Sequence, residues 1–205
     1  MKRTLLEQLG RGTEALDSAW ADFKGYPSKF KYDELMKFVP KKERASWHEK
    51  AMDAAAAKSD FASLIELWLE MKELDRLVAR LRSAKDAELE GVSHYRTEPL
   101  AKRLSKSHPD LAARVYRALA FRILNAKKSR YYDAAIGNME DAKKCYAKAG
   151  RLDEWQRVVA QVRREHSRKL GFMDDFERLV TGEGPSSEPT FIERARSRWE
   201  GQRQS

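Results

Sequence analysis

The sequence predicts an all-α protein, a short α-solenoid of stacked helical hairpins, and three observations predict it. Apolar residues recur at the 3.6-residue helical period in every patterned segment and alternate in none. At Leu74-Asp75, Pro109-Asp110 and Leu152-Asp153 one apolar stripe has ended and another begins, at spacings of 35 and 43 residues. Periods of that size belong to helical-repeat arrays, in which each hairpin buries its apolar face only against its neighbours. Finally, the 205 residues are 41% apolar and 36% charged, with 10 Gly and 6 Pro, the balance of a helical chain able to bury one continuous core.

The elements follow in order. Leu16, Ala19, Trp20 and Phe23 form the first stripe, with Thr13 as its expected N-cap and Gly25-Tyr26-Pro27 as its end. A short helix is expected over 32–38. Pro40 suits the first turn of the next, whose inner face is Trp47, Ala51, Met52 and Ala55. Ser59 or Asp60 caps a helix with Phe61, Leu64, Ile65 and Trp68 inside, and its partner presents Leu74, Leu77, Val78 and Leu81. Glu90-Gly91-Val92-Ser93 reads as a connector, followed by a basic helix with Leu100, Ala101 and Leu104.

Pro109 opens a helix with Leu111, Val115, Leu119 and Ile123 inward. Ser129 opens one with Tyr132, Ala135, Ile136, Met139, Ala142 and Tyr146, which Gly150 closes. The next uses Trp155, Val158, Val159, Val162 and His166, and a shorter one with Phe172, Phe176 and Leu179 caps the array. One helical-repeat domain is therefore expected over 1–182. A flexible linker is expected over 183–190, then a short helix and tail over 191–205 with Phe191, Ile192, Ala195 and Trp199 on one side.

The net charge of +9 is unevenly placed. Residues 59–95 carry five basic against eight acidic residues, whereas 96–130 carry ten against two. An acidic hairpin thus precedes a basic one, a charge step able to attract a polyanion or an acidic protein face. The candidate basic patch is Lys102, Arg103, Lys106, Arg114, Arg117, Lys127, Lys128 and Arg130. Lys, Arg and then Glu7 near the start argue against a signal peptide, and no stretch is apolar enough to span a bilayer. With a single Cys145 there is no internal disulfide framework, so a reducing, cytoplasmic home is expected.

The segment His108 to Leu170 resembles the C-terminal helical region of bacterial SWIM zinc-finger proteins. The resemblance rests on His108-Pro109 at a helix start and a basic turn before Tyr131-x-x-Ala134-Ala135. It continues in Ala149-Gly150-Arg151, Glu154-Trp155 and Arg163-x-x-His166-x-Arg168-Lys169. Residues 64–81 are similar to the preceding repeat and 32–52 to an earlier one. These motifs are packing and capping signatures, so the resemblance implies architecture more than activity. A SWIM finger needs three Cys and one His around tetrahedral zinc, and one Cys is present. The finger does not transfer; the resemblance implies a helical companion region, a separate polypeptide or truncated relative whose partner is the chain carrying the zinc finger.

No catalytic set, cofactor or metal site is read from the residues. Cys145 is expected to be a small half-buried helix residue beside the inward stripe, and His48, His94, His108 and His166 have no spacing suited to a metal. Asp75, Asp110 and Asp153 fit helix starts, where carboxylates meet orphan N–H groups and the positive dipole end. The expected function is that of a tetratricopeptide-like, non-enzymatic scaffold or protein-interaction module. The alternative is a nucleic-acid-binding accessory protein using the patch between Arg96 and Arg130. No membrane association is expected, and the oligomeric state is left open.

Overall fold

The computed structural model describes residues 11–183, which form eleven α-helices and two 3-10 turns with no strand. The expected linker over 183–190 and the helix over 191–205 lie, but for Glu183, outside the described residues. The described residues divide into two compact units, one up to Glu88 and one from Leu89.

The first unit holds α1 (Gly12–Gly25), α2 (Lys29–Phe38), a 3-10 turn (Lys41–Glu43), α3 (Arg44–Lys58), α4 (Phe61–Met71) and α5 (Leu74–Ser83). Of the inner faces the helical period selects, Ala51, Met52 and Ala55 of α3, Leu64, Ile65 and Trp68 of α4, and Leu77 and Leu81 of α5 are buried, whereas Trp47, Phe61, Leu74 and Val78 are only half-buried. In α1 the buried residues are Ala15, Ala19 and Phe23, so the stripe is rotated from the expected one and leaves Leu16 and Trp20 half-buried. Thr13 is not the cap, because the helix already begins at Gly12. Asp60 rather than Ser59 caps α4. Its carboxylate accepts from the Ser63 hydroxyl and, at 3.0 Å, from the Ser63 backbone N–H, and these bonds hold the carboxyl below its usual range. Ser28 caps α2 by accepting from Lys31 N–H at 3.3 Å.

A short helix absent from the sequence reading, α6 (Asp86–Gly91), carries the boundary between the units. The second unit continues with α7 (His94–Leu104), α8 (Pro109–Asn125), a 3-10 turn (Ser129–Tyr131), α9 (Tyr132–Lys148), α10 (Leu152–His166) and α11 (Leu170–Thr181). Its centre is α8, packed between α7 and α9 and buried on nearly every side. Four alanines there, Ala112, Ala113, Ala118 and Ala120, let the neighbouring backbones approach closely.

Leu74, Pro109 and Leu152 are the first residues of α5, α8 and α10, so Asp75, Asp110 and Asp153 occupy the first turn, where the dipole favours them. Gly150 and Gly182 follow α9 and α11 in the left-handed region, at φ +68° and +82°, a conformation that favours glycine. The α10 stripe is buried at all five expected positions. Phe172 and Phe176 are buried in α11, but Leu179 is only half-buried, as is Ile123 of α8. No helix among the described residues is long and apolar enough to cross a membrane.

Candidate functional site

An open groove of about 840 Å³ lies between α9 and α11. Asp133, Ile136, Glu140, Lys143, Lys144 and Ala147 come from α9, at spacings that place them on one helix face. Asp175, Arg178, Leu179 and Gly182 come from α11 and its end. Lys143 fixes the groove's geometry: its Nζ donates to the carbonyls of Leu179 at 2.6 Å and Val180 at 3.4 Å, satisfying orphan acceptors in the last turn of α11. Lys144 pairs with Glu140 at 2.7 Å and Arg178 with Asp175 at 3.9 Å. The groove thus offers an apolar floor of Ile136 and Leu179 between walls carrying both signs of charge.

The basic residues do not form one surface. Lys102 and Arg103 lie near the end of α7 and Lys106 in the turn after it, where Lys148 joins them by donating to the carbonyls of Ser105 and Lys106. Lys127, Lys128 and Arg130 lie past the far end of α8, whose 17 residues separate the two clusters by about 25 Å. Between them Arg114 is half-buried and already engaged. Arg117 is only 6% exposed and turned inward, against its expected place in the basic patch. Lys102 is held by Glu98 at 2.7 Å. Arg130 lies 4.7 Å over the ring of Tyr131, itself 43% exposed.

Cys145 belongs to the inward face of α9 and is buried rather than half-buried; burial pushes its thiol up, away from the thiolate a nucleophile needs. Among the described residues no group of three or more His, Cys, Asp or Glu could hold a metal ion. The histidines are dispersed. His94 lies against Tyr95, and His108 bonds the Ser107 hydroxyl at the start of α8. His48 forms a chain that sequence spacing could not reveal, since its partners lie 16 and 25 residues away. Its Nδ1 meets the Tyr32 hydroxyl at 2.8 Å and its Nε2 meets Glu73 Oε1 at 2.9 Å.

His166 is buried, packed on Phe121, and neither ring nitrogen has a hydrogen-bond partner among the described residues. Burial, and then the nearby Lys169, pull its pKa below 6.5, with Glu165 opposing. The unfolded chain therefore binds a proton more readily than the native one. The neutral ring's contribution is complete above the unfolded value near 6.5 and is lost as pH falls below it. Denaturant unfolding between pH 7.5 and 5.5 (~2 pH units across this window) should show stability falling toward the acid side. His166→Phe should flatten that slope, and an unchanged slope would clear His166 of the effect.

An all-helical protein with a mixed-charge groove and an internal polar chain is thus what the described residues make. The chain belongs to the DUF6880 family, a family of unknown function, whose model matches residues 2–175. No curated protein and no solved structure matches it.

Proposed function

We propose that the protein is a non-enzymatic, tetratricopeptide-like scaffold that recognises a segment of another protein. The observation that carries this reading is the α9–α11 groove, concave, apolar at its floor and charged with both signs at its walls. Such a surface suits a short segment with apolar anchors flanked by charges. Contacts between alternate helices, α1 with α3, α2 with α4 and α9 with α11, support the repeat architecture. The resemblance of His108 to Leu170 to the helical region of SWIM zinc-finger proteins supports a zinc-finger-bearing chain as the partner.

A photo-crosslinking residue at position 144, on the groove wall, tests this. It is expected to give a discrete protein adduct in cells, and Leu179→Asp should abolish the adduct without moving the melting midpoint. An adduct indifferent to Leu179→Asp would refute the groove as the binding surface.

The exposed cluster Lys127, Lys128 and Arg130 beside Tyr131 favours the second reading, nucleic-acid binding. Phosphate contacts would give an affinity falling with salt, with a slope of about 0.7–0.9 per contact. On the protein-binding reading, labelled single and double strands are expected to show no micromolar binding at physiological salt. Tight, salt-steep binding lost in a normally melting triple variant of that cluster would establish the second reading instead.

A further inference from the structure

Two tryptophans stand at right angles where α1 meets α3, and an ammonium group sits in the corner between them. The ring centroids of Trp20 and Trp47 are 5.5 Å apart and their planes are inclined by 85°. Lys50 Nζ lies 4.1 Å from the Trp47 centroid and 4.9 Å from that of Trp20, and a second ammonium, Lys24 Nζ, lies 5.4 Å from the Trp20 centroid. Both indoles are half-buried, while Lys50 is exposed. A cation within about 6 Å of a ring centroid is attracted to the ring face, most strongly to tryptophan, and two such faces around one point make a partial aromatic cage.

The corner is rigidly backed. Trp20 stacks on buried Phe23 at 5.9 Å and 13°, and Phe23 meets Tyr32 edge-on at 6.4 Å. The Tyr32 hydroxyl is held by His48, and His48 by Glu73. Rings fixed in this way need little ordering when a ligand arrives.

We propose that the Trp20–Trp47 corner is a binding site for a methylated ammonium group, which Lys50 occupies in the ligand's absence. The chemistry favours the exchange. A primary ammonium is compact and strongly hydrated, and at the end of a flexible four-carbon stem it swings back to water easily. A trimethylammonium group carries the same charge without N–H groups to desolvate, and it buries methyl surface against both indoles. The group could be borne on a methylated lysine or on a small quaternary ammonium compound. The site lies in the first unit and goes beyond the groove-binding reading, on which it does not depend.

The test follows the indole N–H resonances of the whole protein by NMR. The probes are choline, its neutral isostere 3,3-dimethylbutan-1-ol, and one peptide in trimethyl-lysine and unmodified forms. Saturable shifts of Trp20 and Trp47 with choline or with the trimethyl-lysine peptide, absent with the neutral alcohol, are expected; which probe binds tighter identifies the source. Lys50→Gln should tighten binding about five- to thirtyfold, the worth of its two exposed cation–π contacts. Trp47→Ala should abolish it, with Trp47→Met as the bulk-preserving alternative if the alanine variant does not fold. Equal response to the neutral alcohol would overturn the proposal. So would binding that survives Trp47→Met, or no saturable shift with either ammonium probe in both wild type and Lys50→Gln.

Discussion

Trp155→Ala is expected to lower the stability of the second unit by about 3–5 kcal/mol, the cost of deleting a large aromatic from a site that cannot collapse. The indole is 2% exposed and lies 6.2 Å from the ring of Phe176. Phe176 stacks on Phe172 at 5.5 Å, and Phe172 meets Tyr132 edge-on at 5.7 Å. One chain of rings therefore ties α10 to α11 and α11 to α9. Removing its first member leaves a void beside Phe176, which is itself fully buried. Denaturant unfolding checks the value, and Trp155→Phe should cost clearly less. Leu152→Ala, three residues earlier but 57% exposed, should stay within about 0.5 kcal/mol. A cost below about 1 kcal/mol for Trp155→Ala would place the ring outside the core.

That α10 stripe was fully legible in the sequence because every member is apolar or aromatic and recurs on one face at the helical period. Legibility failed where burial extends round the helix or where close packing selects small residues over large ones. In α8 a single stripe of Leu111, Val115, Leu119 and Ile123 understates an element enclosed on nearly all sides; the alanines between are interior residues too. In α1 Ala19 and Phe23 are buried as the stripe implied, yet close packing selected Ala15 over Leu16 and left Trp20 at the rim. The short α6 has one buried apolar residue, Leu89, too few to show a period. The groove and the Tyr32–His48–Glu73 chain join residues from separate helices, and no local spacing encodes such meetings. Charge was legible as an amount but not as a surface. A run rich in Lys and Arg gives no sign of which side chain turns inward.

Arg117 makes that last point measurable. Its guanidinium, 4.4 Å over the ring of Phe121, donates to Gln161 Oε1 at 2.9 Å and reaches Glu90 at 3.4 Å. Glu90 also accepts from Asn125 at 3.2 Å, and its side chain keeps 22% exposure. Arg117→Ala removes the cation from a largely enclosed carboxylate, strips Phe121 of its cover and leaves Gln161 without this donor. Breaking a buried pair from one side costs about 3–5 kcal/mol, and the partial hydration open to Glu90 lowers the expected loss to about 2–4 kcal/mol. Arg117→Met keeps the bulk over Phe121 and should lose less. A double-mutant cycle of Arg117→Met with Glu90→Gln measures the coupling between the two side chains. If instead Arg117→Ala leaves the melting curve in place and weakens binding to a polyanion, the side chain faces solvent and the divided basic surface is wrong. On the present geometry, a variant neutralising Arg117 together with Lys127, Lys128 and Arg130 would lose binding merely by unfolding, so only the exposed cluster can test nucleic-acid recognition.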